Sequence, residues 1–291
     1  MRLRLILLLA AAPAFAQSTN WTQEFMSHYS VLPDITYATF NNFESKLDIY
    51  ERRDVTSPQP TLLYIHGGGW TAGSKDASLG DFLPFLEMGW NVVNVEYRLA
   101  RVSNAPAAVE DSLCALRWVA TNAAAHHFDI TRIVTSGNSA GGHLALTTAM
   151  IPETAGLDRG CPGVPLPKVA AVVDWYGITD VNDLLDGPNR RGYAVQWLGT
   201  SPDRAAIAKR VSPLEYVRPG LMPILMLQGD ADPTVPYEHS LRLKAALDGA
   251  GVPNQLYTVP GGKHGNFSAP EWDAAWATVR EFLKKYHLPV N

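Results

Sequence analysis

Two glycine-rich stretches and two later loops of this chain hold residue types that could do nucleophilic chemistry. Gly137-Asn138-Ser139-Ala140-Gly141, followed by Gly142, lies where a β-rich run gives way to a helical pattern. A serine so placed occupies a strained strand-to-helix turn, and glycines two residues to either side let strand and helix approach closely. The turn lifts the Ser139 hydroxyl clear of the sheet. It also sets the first N–H groups of the following helix beside any negative charge that develops there. His66-Gly67-Gly68-Gly69-Trp70 follows an earlier apolar run. Glycines in that position let backbone amides turn toward a carbonyl oxygen without side-chain clash, so Gly68, Gly69 and Ala140 are the candidate oxyanion donors. His66 precedes the glycines and reads as an organiser of their loop.

A base and an acid must then come from later in the chain, because a serine on such a turn is followed first by its acid and then by its histidine. Three histidines lie late enough: His239, His264 and His287. His239 falls inside a helical pattern and His287 in the tail beyond the last helix. His264 sits in Val259-Pro260-Gly261-Gly262-Lys263-His264-Gly265, a loop directly after a predicted strand, where α/β folds build sites. The acid is expected in Gln228-Gly229-Asp230-Ala231-Asp232-Pro233. Asp230, nearer the strand, suits a role as acceptor of turn amides. Asp232, stiffened by Pro233, is the candidate partner of His264.

The chemistry these residues would perform is two-step acyl transfer. Ser139 would attack a carbonyl while His264 takes its proton, Asp232 would hold the imidazole in the right tautomer, and the backbone amides would hold the oxyanion. Such a site needs no metal or organic cofactor, and its partner is a small-molecule ester. Trp70, Trp175, Tyr176, Tyr193 and Trp197 either line an acyl or aromatic pocket or pack core and cap. His126-His127 has no carboxylate or cysteine at ligand spacing beyond Asp129 and reads as a surface pair at a helix end. Tyr97, Arg98 and Asp111 are expected to knit the loops beneath the site.

The motifs together resemble the esterase/lipase branch of the α/β-hydrolase superfamily, with the closest likeness to small secreted bacterial carboxylesterases of the feruloyl and acetyl-xylan esterase-like group. The likeness runs from about Leu47 to Phe282. It rests on the 66–70 and 137–143 motifs, on Gly229-Asp230-Ala231-Asp232 with Val235-Pro236, and on Gly262-Lys263-His264-Gly265. It implies the same catalytic residues, Ser139, Asp232 and His264, and the same oxyanion donors. Many relatives carry histidine where this chain has Gln228, a strand-end position not expected to be catalytic. Amide hydrolysis of the arylformamidase type is the rival activity, and a non-catalytic binding module the rival class.

These residues need a scaffold, and β-rich runs alternate with helical patterns to supply one. Strands are predicted over residues 35–40, 47–52, 61–66, 91–97, 132–136, 169–175, 224–228 and 255–259, with helices over 106–121, 139–150, 237–247 and 272–286. Near-continuous apolar runs such as Leu62-Leu63-Tyr64-Ile65 belong to strands covered on both faces. The pattern predicts a mostly parallel eight-stranded sheet flanked by helices with an antiparallel start, and the resemblance implies that this is the α/β-hydrolase fold. Residues 177–219, polar and rich in proline and glycine, are too long for an ordinary connection and predict a small cap.

The 291 residues are 46% hydrophobic and 18% charged, enough for one well-buried catalytic domain over 17–291. A net charge of −4 gives no basic excess that would favour nucleic acid or an anionic membrane. Arg2 and Arg4, the apolar run Leu5 to Ala12 and Ala14-Phe15-Ala16 predict a signal peptide over 1–16, cleaved near Ala16, and hence export. That run is too short to span a bilayer, and no membrane insertion is expected. In an exported chain, Cys114 and Cys161 are expected to pair.

Overall fold

A computed structural model describes residues 27–161 and 163–290 of the chain. The predicted signal segment, 1–16, lies outside them. All eight predicted strands form: β1 (Tyr29–Phe40), β2 (Phe43–Arg52), β3 (Gln59–Ile65), β4 (Asn91–Val95), β5 (Phe128–Asn138), β6 (Ala171–Trp175), β7 (Ile224–Gly229) and β8 (Asn254–Val259). They make one sheet in the order β1-β2-β4-β3-β5-β6-β7-β8. The β1–β2 and β2–β4 pairs are antiparallel, and every pairing from β4–β3 to β7–β8 is parallel. The antiparallel start follows from the short β1–β2 connection, which leaves no room for a crossover helix.

The helices are α1 (Leu79–Glu87), α2 (Ala107–Thr121), α3 (Ala140–Met150), α4 (Gly192–Leu198), α5 (Arg204–Arg210), α6 (Glu238–Gly249) and α7 (Ala269–Lys285). They cover both faces of the sheet, as the alternation of β3 shows. Leu63 and Ile65 pack with Leu113, Leu144 and Leu243 of α2, α3 and α6. Leu62 and Tyr64 pack on the other face with Phe82, Phe85 and Phe282 of α1 and α7. Each such side chain, fully buried, contributes on the order of 2 kcal/mol.

Two departures from the sequence-based elements have local causes. Helix α1 is not apparent from pattern, because Gly80 and Pro84 interrupt a stretch of only nine residues. Helix α7 starts three residues before the expected Trp272. Ser268 caps it reciprocally with Glu271, a serine–glutamate pair three apart that marks a helix start.

The 177–219 segment is ordered into a 3-10 turn at Asn182–Leu184, α4, α5 and a second turn at Pro213–Tyr216. It is tied down by Ala105 N–H donating to the Trp197 carbonyl at 3.0 Å and Leu214 N–H to the Thr179 carbonyl at 3.1 Å. Cys114 on α2 and Cys161 in the loop after α3 form the expected disulfide. Closing a loop over a separation of 47 residues stabilises the fold by on the order of 4 kcal/mol through the unfolded chain.

Candidate active site

The site stands at the C-terminal ends of the parallel strands. At the end of β5, Ser139 takes φ 57° and ψ −119°, a left-handed backbone held by its own N–H donating to the Trp175 carbonyl at 2.8 Å. That conformation costs a non-glycine residue about 1–3 kcal/mol and persists only where surrounding contacts impose it. The flanking glycines are part of the imposition. A Cβ at Gly141 would sit 2.0 Å from the Ile65 carbonyl oxygen, and one at Gly137 would sit 2.3 Å from the same atom. Only glycine therefore lets α3 run so close beneath the end of β3.

The loop after β3 is a tight turn in which Thr71 and Ala72 N–H both donate to the Gly68 carbonyl. Gly68 has φ 113°, and a Cβ there would lie 2.0 Å from the Ala72 carbonyl oxygen. Among the described residues, the N–H groups of Gly68, Gly69 and Ala140 donate to no carbonyl in a turn or loop. His66 lies behind this loop, buried, its Nδ1 2.7 Å from the Gly67 carbonyl and its ring stacked on Tyr97 at 4.3 Å. It organises the turn, as its place in the sequence suggested.

Asp232 and His264, the candidate acid and base, meet across the ends of β7 and β8. Asp232 Oδ2 lies 2.7 Å from His264 Nδ1. Its other oxygen accepts from Thr234 N–H at 2.8 Å and Val235 N–H at 3.0 Å. Burial pushes the Asp232 carboxyl up, but His264 and these amides outweigh it and hold it below the usual carboxylate range. Asp230 instead accepts Gly261 N–H at 2.6 Å, binding the two loops together. Gln228 is a supporting residue that the sequence did not reveal. Its Nε2 donates to the Val235 carbonyl at 2.8 Å and reaches Asp232 Oδ2 at 3.3 Å, while Ser240 Oγ donates to its Oε1 at 2.6 Å. A buried amide satisfied on both sides fixes the acid loop.

Ser139 and His264 line one cleft of about 640 Å³, with His66, Gly68, Gly69, Tyr176 and Tyr193 also on its walls. With Nδ1 engaged by Asp232, His264 Nε2 is the nitrogen left for the serine. No hydrogen bond joins Ser139 Oγ to His264 among the described residues. Catalytic hydrogen bonds commonly tighten only when substrate is bound.

The aromatic candidates separate into two groups. Tyr176 and Tyr193 line the cleft, and Tyr176 and Trp175 line a smaller chamber beside it. Trp70 and Trp197 do not. Both are 0% exposed and stack on each other at 4.1 Å in the core. Trp70 Nε1–H donates to His143 Nδ1 at 3.2 Å, and His143 Nε2 meets the Val211 carbonyl at 2.7 Å. Burial lowers His143 to about 3, so it is neutral and can accept from one side while donating to the other. Trp70 and Trp197 belong to core packing, which corrects the substrate-binding expectation for them.

The remaining polar residues fall into structural roles. Arg98 grips the buried Asp111 through Nε at 2.9 Å and its own N–H at 2.7 Å. His126 Nδ1 meets Glu51 Oε2 at 2.9 Å. His239 is buried on α6, its Nε2 3.1 Å from Asp183 Oδ2.

Asp174, at the end of β6, is 0% exposed, and burial pushes it up to about 7 from an ordinary 3.8 against a lowering by Gly177 N–H. The native state thus holds this proton more tightly than the unfolded chain. Its contribution to stability is present below pH 3.8 and is lost as pH rises toward 7. Replacing Asp174 with Asn removes that slope. Calorimetry should show the variant's Tm gaining several degrees on wild type between about pH 5 and about pH 8; parallel Tm curves would contradict this placement of the carboxyl.

A strained serine between glycines, an Asp–His pair on the neighbouring loops and a mostly parallel eight-stranded sheet define an α/β-hydrolase. Residues 47–247 match the BD-FAE family, and the chain belongs to it. Residues 204–291 also match a TAP-like protein family. Esterase LipQ of Mycobacterium tuberculosis is 30% identical over 231 residues, covering 76% of this chain and 54% of that protein. Ethyl acetate hydrolase of Pseudomonas putida is 31% identical over 219 residues, 70% of this chain and 64% of that protein. The chain spans about half the length of the first of these relatives. Among solved structures, esterase 2 of the planctomycete Thermogutta terrifontis superposes with a TM-score of 0.74 at 28% identity, over 91% of this chain and 94% of that one. That esterase has been solved with propionate and with butyrate bound, and phosphorylated by paraoxon.

Proposed function

We propose that the protein is an exported serine carboxylesterase that hydrolyses esters of small or aromatic acids through an acyl-enzyme intermediate. Ser139 Oγ attacks the ester carbonyl and passes its proton to His264 Nε2. The oxyanion lies against the N–H groups of Gly68, Gly69 and Ala140. His264 returns the proton to the leaving alcohol, and water then repeats the sequence on the acyl-serine to release the acid. Asp232 keeps His264 in the tautomer that leaves Nε2 free to accept.

The observation that carries this reading is the 2.7 Å contact between Asp232 and His264, whose ring lines the same cleft as Ser139. The propionate and butyrate complexes of the Thermogutta esterase support short acyl groups. The charged and apolar runs of residues 2–12 and the Cys114–Cys161 disulfide support export to an oxidising compartment.

A panel of p-nitrophenyl acetate, butyrate and octanoate, a feruloyl ester and an N-formyl anilide tests the proposal. The short and aromatic esters should turn over, and a fluorophosphonate should label Ser139. Preference for the N-formyl anilide would make the protein an amidase, and failure of both turnover and labelling would remove it from the serine hydrolases.

A further inference from the structure

Beside the catalytic cleft lies a second chamber of about 260 Å³. Its walls are aromatic: Tyr64, Trp175, Tyr176, Trp272 and Trp276. The indoles do not stack flat. Trp175 meets Trp272 at 5.4 Å and 47°, and Trp276 at 5.0 Å and 51°, so ring faces are presented in several directions. Asp81, from the first turn of α1, stands in the same wall and also borders the cleft. Its Oδ2 accepts from Tyr64 Oη at 3.0 Å and Asn138 Nδ2 at 3.3 Å. Among the described residues no lysine, arginine or histidine pairs with it. Asn138, the neighbour of Ser139 in the chain, borders both cavities, and its Oδ1 is buried without a partner.

We propose that this chamber binds a compact alkylammonium group, so that the site prefers esters carrying such a cation over their neutral isosteres. The proposal rests on the esterase reading above and adds the substrate's charge. Angled tryptophan and tyrosine rings present the negative faces that attract a cation while covering its methyl groups. Asp81 supplies the countercharge in the wall shared with the cleft. A neutral alkyl group of the same shape would gain the apolar contact but desolvate the Asp81 carboxylate without compensating it, which is how a site rejects an isostere. An anionic group would face repulsion from Asp81.

Acetylcholine and the carbon analogue in which a tert-butyl group replaces the trimethylammonium provide the test, on the full chain at low salt. Wild type should show a kcat/KM ratio of on the order of tenfold in favour of the cationic ester. The Asp81→Asn variant should bring that ratio close to one, and Trp276→Leu should lower it as well. A wild-type ratio at or below one, or a ratio that Asp81→Asn leaves unchanged, overturns the proposal while leaving the esterase reading in place. Choline titration of tryptophan fluorescence separates the two. If neither ester is hydrolysed but choline still quenches wild type and not Asp81→Asn, the chamber stands and the esterase reading falls. Stronger quenching by a neutral phenol than by choline would reassign the chamber to hydroxyaryl groups and likewise overturn the proposal.

Discussion

Replacing Ser139 with Ala is expected to lower turnover of p-nitrophenyl acetate by on the order of 10⁴-fold or more. The large effect follows from the mechanism having nowhere else to put the acyl group. His264 could still activate a water and the backbone amides could still hold an oxyanion, but no covalent intermediate would form. The loss should appear in kcat, because the walls of the cleft are unaltered. The variant should fold as wild type does, since Ala relieves none of the contacts that impose the left-handed turn and adds no bulk. Turnover within tenfold of wild type would place the nucleophile elsewhere.

The second large effect is expected from Asp232→Asn, and its direction can be worked out atom by atom. Thr234 and Val235 N–H both donate to Oδ1, so that position must remain an acceptor. The asparagine carbonyl oxygen therefore goes there, and the amide NH₂ takes the place of Oδ2. That group would face His264 Nδ1 and Gln228 Nε2, which contact Oδ2 in the wild type. Two donors cannot share a hydrogen bond, so His264 must present a bare Nδ1 and carry its proton on Nε2. In that tautomer it cannot accept from Ser139. A fall in kcat on the order of 10⁴-fold with little change in KM is the expected result. Steady-state kinetics beside a thermal melt would check it; retention of more than about a tenth of wild-type kcat would mean that another group orients the histidine.

Much of this site is legible in the sequence because its parts sit at strand ends and are flagged by glycine. The Ser139 turn and the His66–Trp70 loop carry glycines whose Cβ positions are closed by neighbouring backbone, while in the His264 loop Gly262 and Gly265 abut the side chains of Val259 and Tyr176, and that steric need is written in residue type. Asp232 could be preferred over Asp230 because its place beyond the strand end, followed by proline, suits a side chain reaching across to another loop. The central strands β3, β4, β6 and β7 are legible for a similar reason: parallel strands buried on both faces must be largely apolar along their length.

Other features are not legible, because they depend on what packs where. Trp70 and Trp197 look like pocket residues by type and position, yet only the packed fold shows them stacked on each other with His143 beneath. Gln228 carries no motif. Its importance arises from its reach to Asp232, Val235 and Ser240 at once. The aromatic chamber is hidden for the same reason, since its wall draws Asp81 from α1, Trp175 from β6 and Trp272 and Trp276 from α7. Helix α1 itself escapes notice behind Gly80 and Pro84.

The order of these parts along the chain has a consequence for biosynthesis. The hydroxyl of Ser139 leaves the ribosome on β5, long before Asp232 and His264 follow on the loops after β7 and β8, the last two strands of the sheet. A nascent chain can thus expose its serine turn with no base to activate it. On the proposed mechanism reactivity switches on only when the C-terminal strands dock, so phosphonylation of Ser139 by a fluorophosphonate, with loss of fluoride, would report the final assembly step rather than the first.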